Sequence, residues 1–85
     1  MQKMQTANED TLFRGSDLYL SAFLLTRGLR LWTTDDHDPA RVIFVLTSRP
    51  HPDDLADYVS GVAMANVQCF GRALRRLKAA LHGRA

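Results

Sequence analysis

Residues 29–46 read LRLWTTDDHDPARVIFVL, and the two ends of this stretch decide the fold class. In 29–34, Leu29, Leu31 and Thr33 alternate with Arg30, Trp32 and Thr34. In 41–46, Val42, Phe44 and Leu46 alternate with Arg41, Ile43 and Val45. Successive side chains of a strand point to opposite faces, so a period of two with β-branched and aromatic residues marks strands. Between them DDHDPA (35–40) is turn chemistry, because Asp bonds its own nearby backbone and Pro cannot continue a ladder. The two strands are expected to pair as a hairpin.

Upstream, GSDLYLSAFLLTRG (15–28) carries the signals of a short helix over 17–27. Ser16 is the expected N-cap, Asp17 sets negative charge at the positive end of the helix dipole, and Arg27 and Gly28 suit the C-terminal end. Only Ser21, Thr26 and Arg27 interrupt its apolar circumference. Leu18, Ala22 and Leu25 fall on one side, flanked by Tyr19 and Phe23, while Leu20 and Leu24 point the other way. A two-layer domain buries one face of a helix, so the second face needs another cover. The last helix is the expected cover, and a homodimer through this first helix is the alternative.

Downstream, Pro52 can open a helix where its missing N–H costs nothing, Asp53 and Asp54 suit the first turn, and Gly61 closes it. VAMAN (62–66) is the candidate for a third strand, with Val62 and Met64 facing one way. Asn66 then caps a helix over 67–82, in which Val67, Phe70, Leu74, Leu77 and Leu81 form a narrow apolar stripe. Residues 1–12 read as a polar arm, and 13–85 as one domain. The expected class is α+β: a small antiparallel sheet, the hairpin plus that candidate strand, packed by three helices in the order α-β-β-α-(β)-α.

With 85 residues the chain has room for a single core, and domains of this size bury roughly 60–65% of their unfolded surface. A content of 46% hydrophobic and 24% charged residues is that of a globular domain. VIFVL and the apolar run of 18–25 fall well short of the roughly 20 residues that span a bilayer, and MQKMQTANED has no secretory h-region, so a cytoplasmic chain is expected. A single cysteine, Cys69, excludes an internal disulfide and a cysteine-based zinc site. The net charge of +2 is unevenly spread: residues 66–85 carry +5 and no acid, while 1–65 carry −3. Such segregation points to an interaction face.

The runs DLYLSAFLLTRGLRL, RVIFVL and FGRALRRLKAALH resemble a family of short bacterial proteins, a domain of unknown function scattered through bacterial genomes and mobile elements. The resemblance covers residues 12–82 and rests on the first helix with its terminal Gly28, the hairpin, and the closing LRRLKAALH. Ser21 departs from it, standing where the family pattern has a small apolar residue. The resemblance implies a single α+β domain and supplies no catalytic residues. Short proteins of mobile elements often block or redirect host machinery, CRISPR effectors included, so it also implies a phage or mobile-element inhibitor.

Catalysis needs a constellation of groups, and the sequence offers none. His37, His51 and His82 have no metal-ligand spacing, and DDHD (35–38) lacks the alternating oxygen ligands and turn glycine of a calcium loop, so a solvated charged turn is the simpler reading. Asp53 and Asp54 are explained by a helix's first turn. Cys69, beside Ala73 and Ala80 on the helical wheel, reads as a half-buried structural thiol, and the isolated glycines form no phosphate loop. No cofactor, metal or catalytic site is expected. The positive signal is the basic last helix: Arg72, Arg75, Arg76 and Lys78, with Trp32 as an aromatic anchor, are the expected partner-binding residues. They fit a larger protein or nucleoprotein complex. DNA or RNA is the alternative, weakened because Phe70 belongs to the apolar stripe and leaves no aromatic interleaving.

Overall fold

The computed structural model describes residues 11–38 and 40–82. The elements are β1 (Phe13–Gly15), α1 (Leu18–Thr26), β2 (Leu31–Asp38), β3 (Arg41–Leu46), α2 (Pro52–Ser60) and α3 (Val67–His82). The class is α+β as expected, with three helices and one antiparallel sheet in the order β1-β3-β2. The third strand is Phe13–Gly15, which pairs with β3 through Phe13–Leu46, Arg14–Val45 and Gly15–Phe44. Residues 62–66 form no strand. Three residues are too few to show a period, whereas VAMAN alternates but finds no sheet edge within reach. Of the expected arm, residues 1–10 lie outside the described residues, and Thr11 and Leu12 lead into β1.

α1 starts one residue later than expected. Asp17, not Ser16, is its N-cap, accepting from the Leu20 N–H at 3.0 Å. At the other end Gly28 takes φ 104°, a left-handed conformation that suits glycine. The N–H groups of Arg27 and Leu29 both donate to the Leu24 carbonyl there. Thr26 turns its hydroxyl back onto the Phe23 carbonyl at 2.6 Å, which hides its polarity.

β2 is longer than the expected 29–34 and includes the DDHD segment, so His37 lies in the strand rather than at the hairpin tip. Its pairing with β3 shifts register twice, between Leu31 and Thr33 and between Asp35 and Asp38. Trp32 is the extra residue of the first shift. Residues directly opposite share a face, so Leu31 with Leu46 and Thr34 with Phe44 face the helices, whereas Thr33 with Val45 lie on the other face of the sheet, where Val45 is buried as well. The simple alternation of Leu31 with Thr33 is thereby broken by one bulge. Carboxylates are tolerated in this strand because it lies at a sheet edge. Asp35 and Asp38 also accept from the His37 and Ala40 N–H groups, both at 3.0 Å.

The core has α1 at its centre. Ala22 packs with Phe44, Ala73 and Leu77, joined by Leu18, Leu25, Leu74 and Leu81. Phe23 and Leu24 pack with Leu46, joined by Phe13, Leu20, Leu29 and Tyr58. Both apolar sides of α1 are therefore covered within the chain, by the sheet and by α3, which removes the motive for dimerisation through this helix. Ser21 is buried as well, small enough for close approach.

Candidate functional site

α3 is an amphipathic helix of 16 residues, capped by Asn66, whose side chain accepts from the Cys69 N–H at 3.0 Å. It packs across α1: Leu81 lies near Leu18, Ala73 near Leu25, and Phe70 against Tyr19. In the first turn of α3 Phe70 turns inward, stacking on Tyr19 of α1 with ring centroids 6.2 Å apart and packing against the core cluster of Phe23 and Leu24. Two expectations fail on the other faces of this turn. Val67, placed on the apolar stripe, is 84% exposed. Cys69, expected to be half-buried, is also exposed, with the Arg72 guanidinium 3.7 Å from its sulfur.

Where α3 passes the C-terminal end of α1, a groove of about 750 Å³ opens, lined by Leu25, Thr26, Cys69, Arg72, Ala73, Arg75 and Arg76. A neighbouring groove of about 580 Å³ shares Arg76 and adds Arg30 and Gly28. No carboxylate among the described residues lines either groove. Among the described residues Arg30, Arg72, Arg75 and Arg76 have no ion-pair partner, whereas Arg27 is held by Asp54 at 3.2 Å. The arginines gather here because α1 ends here: it has no basic residue in its last turn, and its carbonyl end carries partial negative charge that favours cations. That charge is far smaller than several guanidinium groups, so the groove remains suited to an anion.

The structure thus brings together three of the five expected residues, Arg72, Arg75 and Arg76. Lys78 stands about 120° around the helix from Arg72, off the groove. Trp32, 49% exposed, lines a separate groove on the outer face of the sheet with Arg14, Thr33, Asp35 and Val45. It belongs to another surface because the bulge it occupies turns it away from the helices. Arg30 is the residue that sequence reasoning missed. Its only linear signal is its place two positions after Gly28, where the chain reverses beside the end of α1.

A second surface lies at the α2–α3 corner. Phe23, Tyr58, Ala63, Ala65, Val67 and Phe70 line an apolar cleft of about 340 Å³. Tyr58 stacks on Phe23 with ring centroids 6.2 Å apart, and its hydroxyl donates to the Asp17 carboxylate at 3.2 Å. Burial first, and then the Asp17 charge and hydrogen bond, raise this phenol above its ordinary value of 10.0. Val59, Val62 and Met64 point outward beside the cleft, exposed by 83%, 62% and 84%.

Among the described residues no three His, Cys, Asp or Glu side chains gather as a metal site, and no helix is long and apolar enough to cross a membrane. Compared with protein-family models, curated proteins and solved structures, the chain matches none.

Proposed function

We propose that this chain is a non-catalytic cytoplasmic binding protein whose arginine groove takes an acidic surface of a larger protein or nucleoprotein complex. One observation carries the reading: Arg72, Arg75 and Arg76 line a single groove that, among the described residues, holds no carboxylate. A planar guanidinium presents paired donors that match a carboxylate fork, and the apolar floor of Leu25 and Ala73 limits competition from water. The resemblance described above favours an inhibitor of a host complex as the biological form of such binding. Affinity capture with the wild type and with an Arg72→Ala/Arg76→Ala variant tests the proposal. A protein retained by the first and lost from the second is expected; identical captured sets would overturn it.

The same guanidinium cluster supports the alternative, binding of DNA or RNA through phosphates. That reading loses its aromatic contact, since Trp32 lines a different groove. It requires retardation of a short duplex or single strand at low salt that fades steeply as salt rises. Absence of retardation by the wild type rules it out.

A further inference from the structure

The arginine groove has a charge counterpart on the same chain. α2 presents Asp53, Ala56, Asp57 and Ser60 to solvent, spaced i, i+3, i+4 and i+7 and so aligned on one helix face. Among the described residues neither Asp53 nor Asp57 meets an Arg or Lys; Asp53 contacts only His51 at the start of its own helix. The groove side of α3 presents Cys69, Arg72 and Arg76 at the mirrored spacing, around Ala73, which is buried at the groove floor. Laid antiparallel, the exposed residues match in order: Asp53 with Arg76, Asp57 with Arg72, and Ser60 with Cys69, with Ala56 over the groove floor at Ala73.

The match reflects an antisymmetry in the chain. Residues 58–71 hold no charge, and the acids at 53, 54 and 57 mirror the bases at 76, 75 and 72 about the midpoint between Met64 and Ala65. In an isologous contact residue i meets residue j of the other copy while j meets i, so one two-fold axis near this midpoint makes both matches at once. Within one chain the match is not made, since no ion pair joins α2 to α3 among the described residues. The segment between the acidic and the basic face carries Val59, Val62, Met64 and Val67, all exposed. An apolar centre with a charged rim is the ordinary build of a specific interface. A foreign partner would have to supply both an acidic and a basic flank around its own apolar patch, whereas a second copy supplies them by symmetry.

We infer that two copies of this chain associate about a two-fold axis at the α2–α3 corner, each laying the acidic face of α2 along the arginine groove of the other. The inference rests on reading that groove as a carboxylate-binding surface, and it makes self-association compete with any other acidic partner for Arg72 and Arg76.

Sedimentation equilibrium of the full chain, from low micromolar to millimolar concentration at low salt, tests it with charge reversals. The wild type is expected to move from the mass of one chain toward that of two. Asp57→Arg alone and Arg72→Asp alone are each expected to stay monomeric, and an equimolar mixture of the two is expected to dimerise, because both contacts then join opposite charges. Met64→Asp is expected to weaken association at least tenfold. Circular dichroism of each variant verifies folding, since all three positions are exposed. A wild type that stays monomeric overturns the dimer and leaves the proposed function to its own capture experiment. Single reversals that dimerise like the wild type, or a mixture that stays monomeric, overturn the pairing.

Discussion

α1 and α2 are both nine residues long, and they are held in opposite ways. α1 buries Ser21, Ala22, Phe23 and Leu24, has no basic residue in its last turn, and owes its place to the sheet on one side and α3 on the other. α2 buries no residue. It has instead a full set of local signals: the His51 ring nitrogen accepting from the Asp53 N–H, Pro52 at its start, two acids in the first turn, and Gly61 in the left-handed region at its end. Few tertiary ties join it to the rest, chiefly Arg27 to Asp54 and Tyr58 to Asp17 and Phe23. A helix can thus be secured by what surrounds it or by how its ends are written. This chain uses one device for the element that organises its core and the other for an element left to face solvent.

The comparison breaks most visibly at Leu24, which is fully buried. Leu24→Ala is expected to lower global stability by about 2–5 kcal/mol, the range for a leucine removed from a packed core. Urea unfolding measures it, and loss of α1 should carry the sheet and α3 with it. Gly61→Ala probes the other device. At φ 79° an alanine is strained by about 1–2 kcal/mol. Hydrogen exchange should show faster opening of α2 amides with little change in α1; uniform acceleration across the chain would show that α2 is an integral part of the core.

Tyr58→Phe gives the smallest effect and sharpens the link between the two helices. Loss of a half-exposed hydrogen bond to Asp17 is expected to cost about 0.5 kcal/mol near neutral pH. Its signature is alkaline. The phenol holds its proton more tightly in the folded chain, so its contribution is complete below pH 10.0 and disappears as pH rises through the higher folded value. The variant should therefore lose less stability than the wild type above pH 10.0. A difference between the two that does not change with pH would mean that Tyr58 acts by packing alone.

The linear pattern reveals elements whose signals are local and strong. The hairpin, both ends of α2, and Asn66 at the start of α3 are legible because capping and period two act over a few residues. β1 is not legible, since its three residues acquire strand character only by pairing with β3. The bulge at Trp32 is equally hidden, and it reassigns the faces of β2 between Leu31 and Thr33, sending Trp32 to the outer side of the sheet. At the candidate site the arginines of α3 are visible as a basic run. That three of them meet the end of α1, while Lys78 does not and Arg30 stands nearby, depends on how two helices cross.

By itself the sequence determined an α+β domain, an apolar first helix that needs two covers, and a basic closing helix. Those properties follow from composition, periodicity and end chemistry, which each residue carries wherever the chain goes. Only the tertiary structure decided that both covers of α1 lie within the chain, that Phe70 alone of Val67, Cys69 and Phe70 turns inward, and that among the described residues no carboxylate lines the arginine groove. The reason is that burial depends on how two helices cross: Phe70 turns onto Tyr19 and the Phe23 cluster, whereas Val67 and Cys69, on other faces of the same turn, stay exposed.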